Sequence, residues 1–211
     1  MTRHLDETVL QYRSGVRAVA ETVATFDTED WSRRSCGEWS ASDTARHLLG
    51  VADWYHEWLD RAVQGDRSRP FDRAEIDDRA EAEVQSRRSL SGQEAIERFT
   101  HRAADYLERA VEHPDLALGF PFGRTTVGHH LALGAAEWHL HAWDLSNTGD
   151  SPHEPDRPAA LFIVVGAAVA DTEGGLRGRA LRRLVPLAAR RSPWSTMLRR
   201  SGRPTTPIAE V

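Results

Sequence analysis

The chain has 211 residues and a formal net charge of −5. This length can bury a substantial core, and the acidic balance gives no overall attraction to nucleic acid or to an anionic membrane. Cys36 is the single cysteine, which excludes an internal disulfide bond and fits a reducing compartment. The amino terminus has no signal-peptide pattern and no apolar run approaches a membrane span, so we expect a cytoplasmic protein with no membrane or nucleic-acid partner.

The first two helices are predicted from apolar residues that recur at three- and four-residue spacing. The pattern runs over residues 5–26 and again over residues 40–63. Ser40 is a good N-cap for the second of these helices, and Asp43 suits the positive end of its dipole. His47 lies at the edge of the inward-facing stripe of this second helix.

Two further segments lead to the middle of the chain. Residues 72–88 alternate acids and arginines and predict a solvated helix. Ser89 or Ser91 can cap the next helix, which the apolar spacing predicts over residues 93–112. The following segment, residues 115–124, is expected to be irregular.

The most informative stretch is residues 125–144, which has the length and periodicity of one helix capped by Thr125 or Thr126. Beside its apolar face runs a stripe of ionisable residues, namely His130, Glu137, His141 and Asp144. At about 100° per residue, these side chains fall within roughly 60° of one another. Glu137 and His141 stand one turn apart, which is close enough to hold a single metal ion.

A third metal ligand is expected from a neighbouring helix, because helix bundles build metal sites from facing side chains. His47 is the best donor, since it lies on the inner edge of its helix. Two histidines and one glutamate with an open fourth position are typical of catalytic zinc, although Ni²⁺, Co²⁺ or Fe²⁺ also accept this set. His130 and Asp144 could each bond a ligand imidazole, or could simply be polar residues near the ends of the bundle.

Each of these residues also has an ordinary structural interpretation. A glutamate and a histidine one turn apart on a helix are usually a surface pair, and His47 could be a core histidine bonded to a carbonyl. His129 and His139 point to other sides of their helix and are expected to face solvent or to pack. Cys36 is expected to be a structural cysteine in a connector.

The last part of the chain differs in composition. An alanine-rich apolar run over residues 158–170 predicts a buried helix, and an arginine-rich segment follows over residues 177–191. There is no internal repeat and no strand pattern before Pro158. The fold is therefore predicted to be all-α, with a four-helix bundle over residues 1–150 and a short helical C-terminal extension over residues 151–211.

Three segments together carry a family resemblance. They are SCGEWSASDTARHL from Ser35, GRTT from Gly123 and EWHLHAWDL from Glu137. Their combination resembles the DinB-like superfamily, and within it the mycothiol-dependent maleylpyruvate isomerase family. The resemblance covers about residues 1–150 and implies a metal-binding four-helix bundle with His47, Glu137 and His141 as the ligands.

The resemblance also implies a function. It suggests an enzyme that uses a divalent metal and mycothiol as co-substrate, either as a thiol-dependent isomerase or as an S-transferase. The partners would be a small thiol and an electrophilic or anionic substrate, and the protein would be a monomer or a homodimer. In the isomerase, a small domain with a substrate-binding arginine follows the bundle, so residues 151–211 could be its remnant, with Arg124 or Arg203 as the carboxylate clamp.

Two alternatives stay open. In the first, metal-activated water is the nucleophile of a hydrolase, and His130 or Asp144 is the general base. In the second, the protein binds a metal or a small ligand without catalysis, and one of the same two residues closes the fourth coordination position.

Overall fold

The computed structural model describes residues 2–146, 152–170 and 192–205. In chain order the elements are α1 (Thr2–Val23), β1 (Arg34–Cys36), β2 (Trp39–Ser40), α2 (Ala41–Val63), α3 (Ile76–Ser86), α4 (Gly92–Ala110), β3 (Ala117–Phe120), β4 (Gly123–Thr126), α5 (Val127–Ser146), α6 (Arg157–Ala170) and α7 (Pro193–Arg200). Most of the described residues are helical, which confirms the predicted all-α class. Within these residues, no helix is both long enough and apolar enough to cross a membrane.

Helices α1, α2, α4 and α5 form the bundle, with α1 against α5 and α2 against α4. Their apolar stripes meet in one core, where Trp138 of α5 is fully buried. The Trp138 ring packs edge-on against Tyr12 of α1 and Phe99 of α4, with ring centroids 5.9 and 4.9 Å apart. Aromatic packing of this kind ties three of the four helices together.

The amino ends of α2 and α4 are fixed by side-chain caps. The Ser40 hydroxyl accepts a hydrogen bond from the backbone N–H of Asp43, and the Asp43 carboxylate accepts one from the backbone N–H of Ser40. Ser91, rather than Ser89, makes the same reciprocal pair with Glu94. Such capping boxes satisfy helix N–H groups that would otherwise have no partner, so both helices begin where the sequence predicts.

Two short hairpins correct the expectation that no strand precedes Pro158. Strands β1 and β2 pair antiparallel just before α2, and β3 and β4 pair antiparallel just before α5. Residues 115–124 are therefore not irregular. The second hairpin turns at Gly123, whose φ of 136° strongly favours glycine. Strands of four residues or fewer are too short to show an alternating pattern in the sequence.

The acidic and basic segment, residues 72–88, is only partly the solvated helix that was predicted. Helix α3 is shorter than that segment and follows a 3-10 turn over Arg73–Glu75. Ala80 and Val84 are buried against α2, because two small apolar residues four positions apart share one face of a helix. The charged residues occupy the remaining faces.

The described part of the C-terminal segment packs against α5, and Phe162 of α6 also contacts His4 of α1, with ring centroids 5.3 Å apart. Helix α6 confirms the predicted helix, and together with α7 it forms a second apolar cluster with α5. This cluster contains Leu140 and Trp143 of α5, Ile163 of α6 and Trp194 of α7. Helix α5 is thus covered on both sides. The arginine-rich segment, residues 177–191, lies outside the described residues.

Candidate metal centre

Three potential metal ligands from two helices converge at one end of the bundle. His47 of α2 and Glu137 and His141 of α5 each offer a donor atom, and these atoms lie within 4.8 Å of one another. The Nε2 atom of His141 lies 3.8 Å from Oε1 of Glu137, and the ring centroids of His47 and His141 are 5.1 Å apart. The three side chains that the sequence predicts to face one another in the bundle therefore lie close together.

The orientation of His141 is set by Asp144, one turn further along α5. The Nδ1 atom of His141 lies 2.9 Å from Oδ2 of Asp144, so Nε2 is the nitrogen that points toward Glu137. Arg203, just beyond α7, donates two hydrogen bonds to the same carboxylate, from Nε at 2.7 Å and from Nη2 at 2.6 Å. A carboxylate on the far nitrogen of a histidine fixes the ring and its tautomer for metal binding.

Burial and neighbouring charges determine the protonation states of Asp144 and His141. Burial alone would raise the pKa of Asp144, but the bonds from His141 and Arg203 lower that pKa to about 2. Burial alone would lower the pKa of His141, but its contacts with Asp144, Cys36 and Glu137 hold that pKa well above the ordinary value. A metal ion that binds His141 would therefore displace a proton from it.

The two other candidate ligands, His47 and Glu137, are in the protonation states that bind a metal ion. Burial and the charge of His141 lower the pKa of His47 to about 3, so this imidazole is neutral near neutral pH. Burial alone would raise the pKa of Glu137, but the hydrogen bond and charge of His141 hold that pKa below its ordinary value. A neutral imidazole and a carboxylate are the forms that bind a cation.

The residues present fit a divalent ion. Two ligands at typical zinc distances in a tetrahedral site lie about 3.4 Å apart, so the 3.8 Å between His141 and Glu137 needs only a small adjustment. His47 makes no hydrogen bond with any described residue, and its buried Nδ1 has no partner. A buried imidazole of this kind is costly unless something binds it.

Cys36, His141 and Asp144 form a second cluster of possible donors. This set fits a cation less well, because the guanidinium of Arg203 already occupies both oxygens of Asp144. A second positive charge beside that group would be repelled. The first set therefore remains the candidate metal centre, which is defined as His47, Glu137 and His141.

A cavity of about 330 Å³ opens above the candidate metal centre. All three candidate ligands line it, together with Cys36 and Arg203. Aromatic rings make up most of the remaining wall, and they come from β2, from α2, from the loop before α3 and from the second hairpin. A mostly apolar cleft with a few charged groups is the usual form of a small-molecule site.

Residues 12–146 match the family model described as the mycothiol maleylpyruvate isomerase N-terminal domain. The chain belongs to this family. The family is DinB-like, binds metal and is associated with mycothiol. No curated protein and no solved structure matches the chain.

Within the family domain, His130 lies apart from the candidate metal centre. It is fully buried, its Nδ1 atom is 2.8 Å from the hydroxyl of Tyr106, and the ring of Tyr55 packs on it at 4.2 Å. Burial lowers the pKa of His130 to about 3, so the ring is neutral. His130 therefore bonds a tyrosine in the core and not a ligand imidazole.

Arg124 and His139, two other residues singled out in the sequence, lie away from the cavity. Arg124 is exposed on β4 and is not among the residues that line the cavity. His139 is buried, and its Nδ1 lies 2.8 Å from Nε2 of His153, which precedes α6. His139 thus has the packing role that was one of its two expected environments. His129, the other histidine assigned to solvent or packing, is partly buried.

Two residues at the cavity were not picked out as site residues by sequence reasoning. Cys36 on β1 is partly exposed, lines the cavity and lies beside His141. The ring of Trp39 on β2 packs against the His47 ring, with centroids 4.7 Å apart. Cys36 was expected to be structural, although it precedes the N-cap of the helix that carries His47, and that proximity was the available signal.

Proposed function

We propose that this family member is an enzyme that binds a divalent metal ion, with zinc as the first candidate, and uses a low-molecular-weight thiol as nucleophile. Mycothiol is the thiol that the family indicates. The observation that carries the proposal is the arrangement of His141. Its Nδ1 faces Asp144, and its Nε2 faces Glu137 inside a cavity that His47 also lines.

The roles of the chain's own residues follow from their contacts. His47, Glu137 and His141 would hold the ion, which when bound would supply the positive charge that keeps a thiol deprotonated near neutral pH. Asp144 holds the His141 ring in place, and Arg203 holds Asp144. The aromatic wall places apolar surface beside the three candidate ligands.

Two thiol reactions are compatible with such a site. A thiolate can add to an activated double bond, allow rotation about the resulting single bond and leave again, so that the substrate is isomerised and the thiol is regenerated. Alternatively, the thiolate can displace a leaving group, which departs with its electron pair and leaves a thioether. Both reactions need a deprotonated sulfur next to an apolar space for the electrophile.

The contacts of His130 and Asp144 give less support to the other functions. A hydrolase would need one of them as a free general base, but His130 bonds Tyr106 in the core and Asp144 bonds Arg203. A closed, non-catalytic metal site would need one of them as the fourth ligand. Neither residue is among those that line the cavity, and both oxygens of Asp144 bond Arg203.

The proposal is tested by elemental analysis of the purified protein, followed by cobalt substitution and titration with mycothiol. We expect about one divalent ion per chain, and a thiolate-to-cobalt charge-transfer band that grows with added thiol. The His47→Ala variant should lose both the metal and the band. The matched variant at the exposed surface residue His101, His101→Ala, should keep both.

Two results would contradict the proposal. One is a metal content that does not change when His47 and His141 are both replaced by alanine. The other is a cobalt spectrum that mycothiol leaves unchanged while esters or amides are hydrolysed without any thiol, which would favour the hydrolase.

A further inference from the structure

The two histidines of the candidate metal centre are held in different ways. His141 is fixed by a hydrogen-bonding group, since its Nδ1 atom lies 2.9 Å from Oδ2 of Asp144. His47 makes no hydrogen bond with any described residue, and its buried Nδ1 has no partner. A ligand histidine usually has such a partner on its far nitrogen, which sets the orientation of the ring. The orientation of His47 must therefore depend on packing.

The ring that packs against His47 is the indole of Trp39. Their centroids are 4.7 Å apart, and the ring planes are tilted by 42°. Trp39 pairs with Cys36 in the first hairpin, and the next residue, Ser40, is the N-cap of α2. The backbone of Trp39 is thus fixed relative to the helix that carries His47, so only the side-chain torsions of Trp39 remain to be set.

A carboxylate of α3 sets those torsions. Nε1 of Trp39 donates a hydrogen bond to Oε2 of Glu81, with 2.8 Å between the two atoms, although the residues are 42 positions apart. Gln85, one turn further along α3, donates a hydrogen bond to Oε1 of Glu81. The bonds from Trp39 and Gln85 hold the pKa of Glu81 below its ordinary value, so the acceptor is a carboxylate near neutral pH. A hydrogen bond to a charged acceptor is stronger than one between neutral groups.

Glu81 can act on the site only through Trp39. Its side chain is exposed, and it is not among the residues that line the cavity. The helix beneath it is anchored, because Ala80 and Val84 are buried and α3 contacts α2. Helix α3 therefore holds Glu81 in a fixed position, although it carries none of the three candidate ligands.

We propose that Trp39 and Glu81 are positioning residues of the candidate metal centre. Glu81 fixes the indole of Trp39, and the indole holds the His47 ring in the orientation that brings it beside Glu137 and His141. In this way a candidate ligand without a hydrogen-bond partner still has one orientation. The inference rests on the proposed function for the metal ion, but not for the orientation of His47, which can be measured without the ion.

The first measurement is NMR of the full-length protein after a chelator has removed bound metal. The ring protons of His47 are identified by their loss in His47→Gln. Because the ring current of an indole shifts the signals of protons beside it, Glu81→Met should move these signals when Trp39 is no longer held. The matched variant Glu57→Met changes an exposed glutamate of α2 that does not line the cavity, and should leave the signals in place. Unmoved His47 signals in Glu81→Met would overturn the proposal.

The second measurement is metal affinity, by competition with a chromogenic chelator, together with the absorption spectrum of the cobalt-substituted protein. Glu81→Met should weaken metal binding about threefold, because it removes one hydrogen bond, and Trp39→Ala should weaken it about tenfold. The visible bands of cobalt depend on ligand geometry and should shift in both variants. Glu81→Gln, which keeps an acceptor for the indole, should restore the affinity and the spectrum of the unaltered chain. An affinity that Glu81→Met leaves unchanged, or that Glu57→Met lowers as much, would contradict the positioning role.

The two measurements separate this inference from the proposed function. If the unaltered chain binds no metal but Glu81→Met still moves the His47 signals, the proposed function fails and the orientation of His47 by Trp39 stands. If the unaltered chain binds metal and thiol but Glu81→Met changes neither the signals nor the affinity, the proposed function stands and the positioning role fails.

Discussion

Arg203 and Asp144 form a buried two-point ion pair, with Nε–Oδ1 and Nη2–Oδ2 distances of 2.7 and 2.6 Å. The two residues are 59 positions apart, so the C-terminal segment supplies the counter-ion for a carboxylate on α5. Asp144 in turn contacts Nδ1 of His141. The packing of the extension and the geometry of the candidate metal centre are therefore physically linked.

Replacing Asp144 tests this link directly. Asp144→Asn keeps the size of the side chain but removes the charge that orients His141 and neutralises Arg203. We expect metal affinity to fall by about 10- to 100-fold, and the free energy of unfolding to fall by roughly 3 kcal/mol. Metal affinity is measured by competition with a chromogenic chelator, and stability by urea unfolding of the metal-free protein.

Arg203→Gln is the informative comparison for that experiment. It leaves Asp144 in contact with His141, so metal affinity should fall less than in Asp144→Asn. Because the two residues form one pair, the double variant should lose less stability than the sum of the single variants. If Asp144→Asn bound metal as tightly as the unaltered chain, Asp144 would have no positioning role.

The hydroxyl of Tyr106 should stabilise the core without affecting the metal. Tyr106→Phe removes the hydrogen bond to Nδ1 of His130 and leaves a fully buried imidazole unpaired, at a cost of about 1–3 kcal/mol. Tyr55→Phe is the matched control, because the Tyr55 hydroxyl makes no hydrogen bond with a described residue. Urea unfolding and metal competition decide the outcome. A loss of metal affinity in Tyr106→Phe would instead tie His130 to the metal centre.

The helical part of the candidate site could be predicted from the sequence because it follows the period of a helix. Glu137 and His141 are one turn apart on α5, and His47 stands on the inner edge of α2. Helix packing places such edges side by side. The bundle was predictable for the same reason, since long amphipathic helices have a strong periodic signal.

The rest of the site depends on tertiary contacts that leave no local pattern. Cys36 and Trp39 reach the cavity through a hairpin whose strands have three and two residues. Arg203 reaches Asp144 only because α6 and α7 pack on α5. The sequence could suggest Arg203 as a cation near the site, but not that Asp144 would be the anion it binds.

Gly134 should be intolerant of even one methyl group. A Cβ atom at this position of α5 would lie 2.9 Å from Cε2 of Tyr12 and 3.0 Å from Cε2 of Tyr55, which are both buried aromatic rings. We expect Gly134→Ala to destabilise the fold by about 1–3 kcal/mol, despite alanine's higher helix propensity. Ala104→Gly at an exposed position of α4 measures that propensity alone, about 1 kcal/mol. A stabilised Gly134→Ala variant would show that the aromatic core can move.

The His139–His153 pair should make the fold less stable in mild acid. Burial and the charge of His153 lower the pKa of His139 to about 4, and burial lowers the pKa of His153 to about 4. Between pH 6.5 and 4, the unfolded chain therefore binds protons that the folded chain does not, so the free energy of unfolding falls as the pH falls. From about pH 7 to pH 5, one such ring contributes a loss of about 2 kcal/mol.

His153→Gln separates this pair from the other histidines. Glutamine can still bond Nδ1 of His139 but does not titrate, so the loss of stability between about pH 7 and pH 5 should shrink by roughly 1–2 kcal/mol. His101→Gln, at an exposed histidine of α4, is the matched control for the substitution itself. The measurement is urea unfolding of the metal-free protein at several pH values. An identical pH dependence in His153→Gln and in the unaltered chain would mean that protonating the pair does not destabilise the folded chain. The 2.8 Å contact between the two ring nitrogens argues against that outcome.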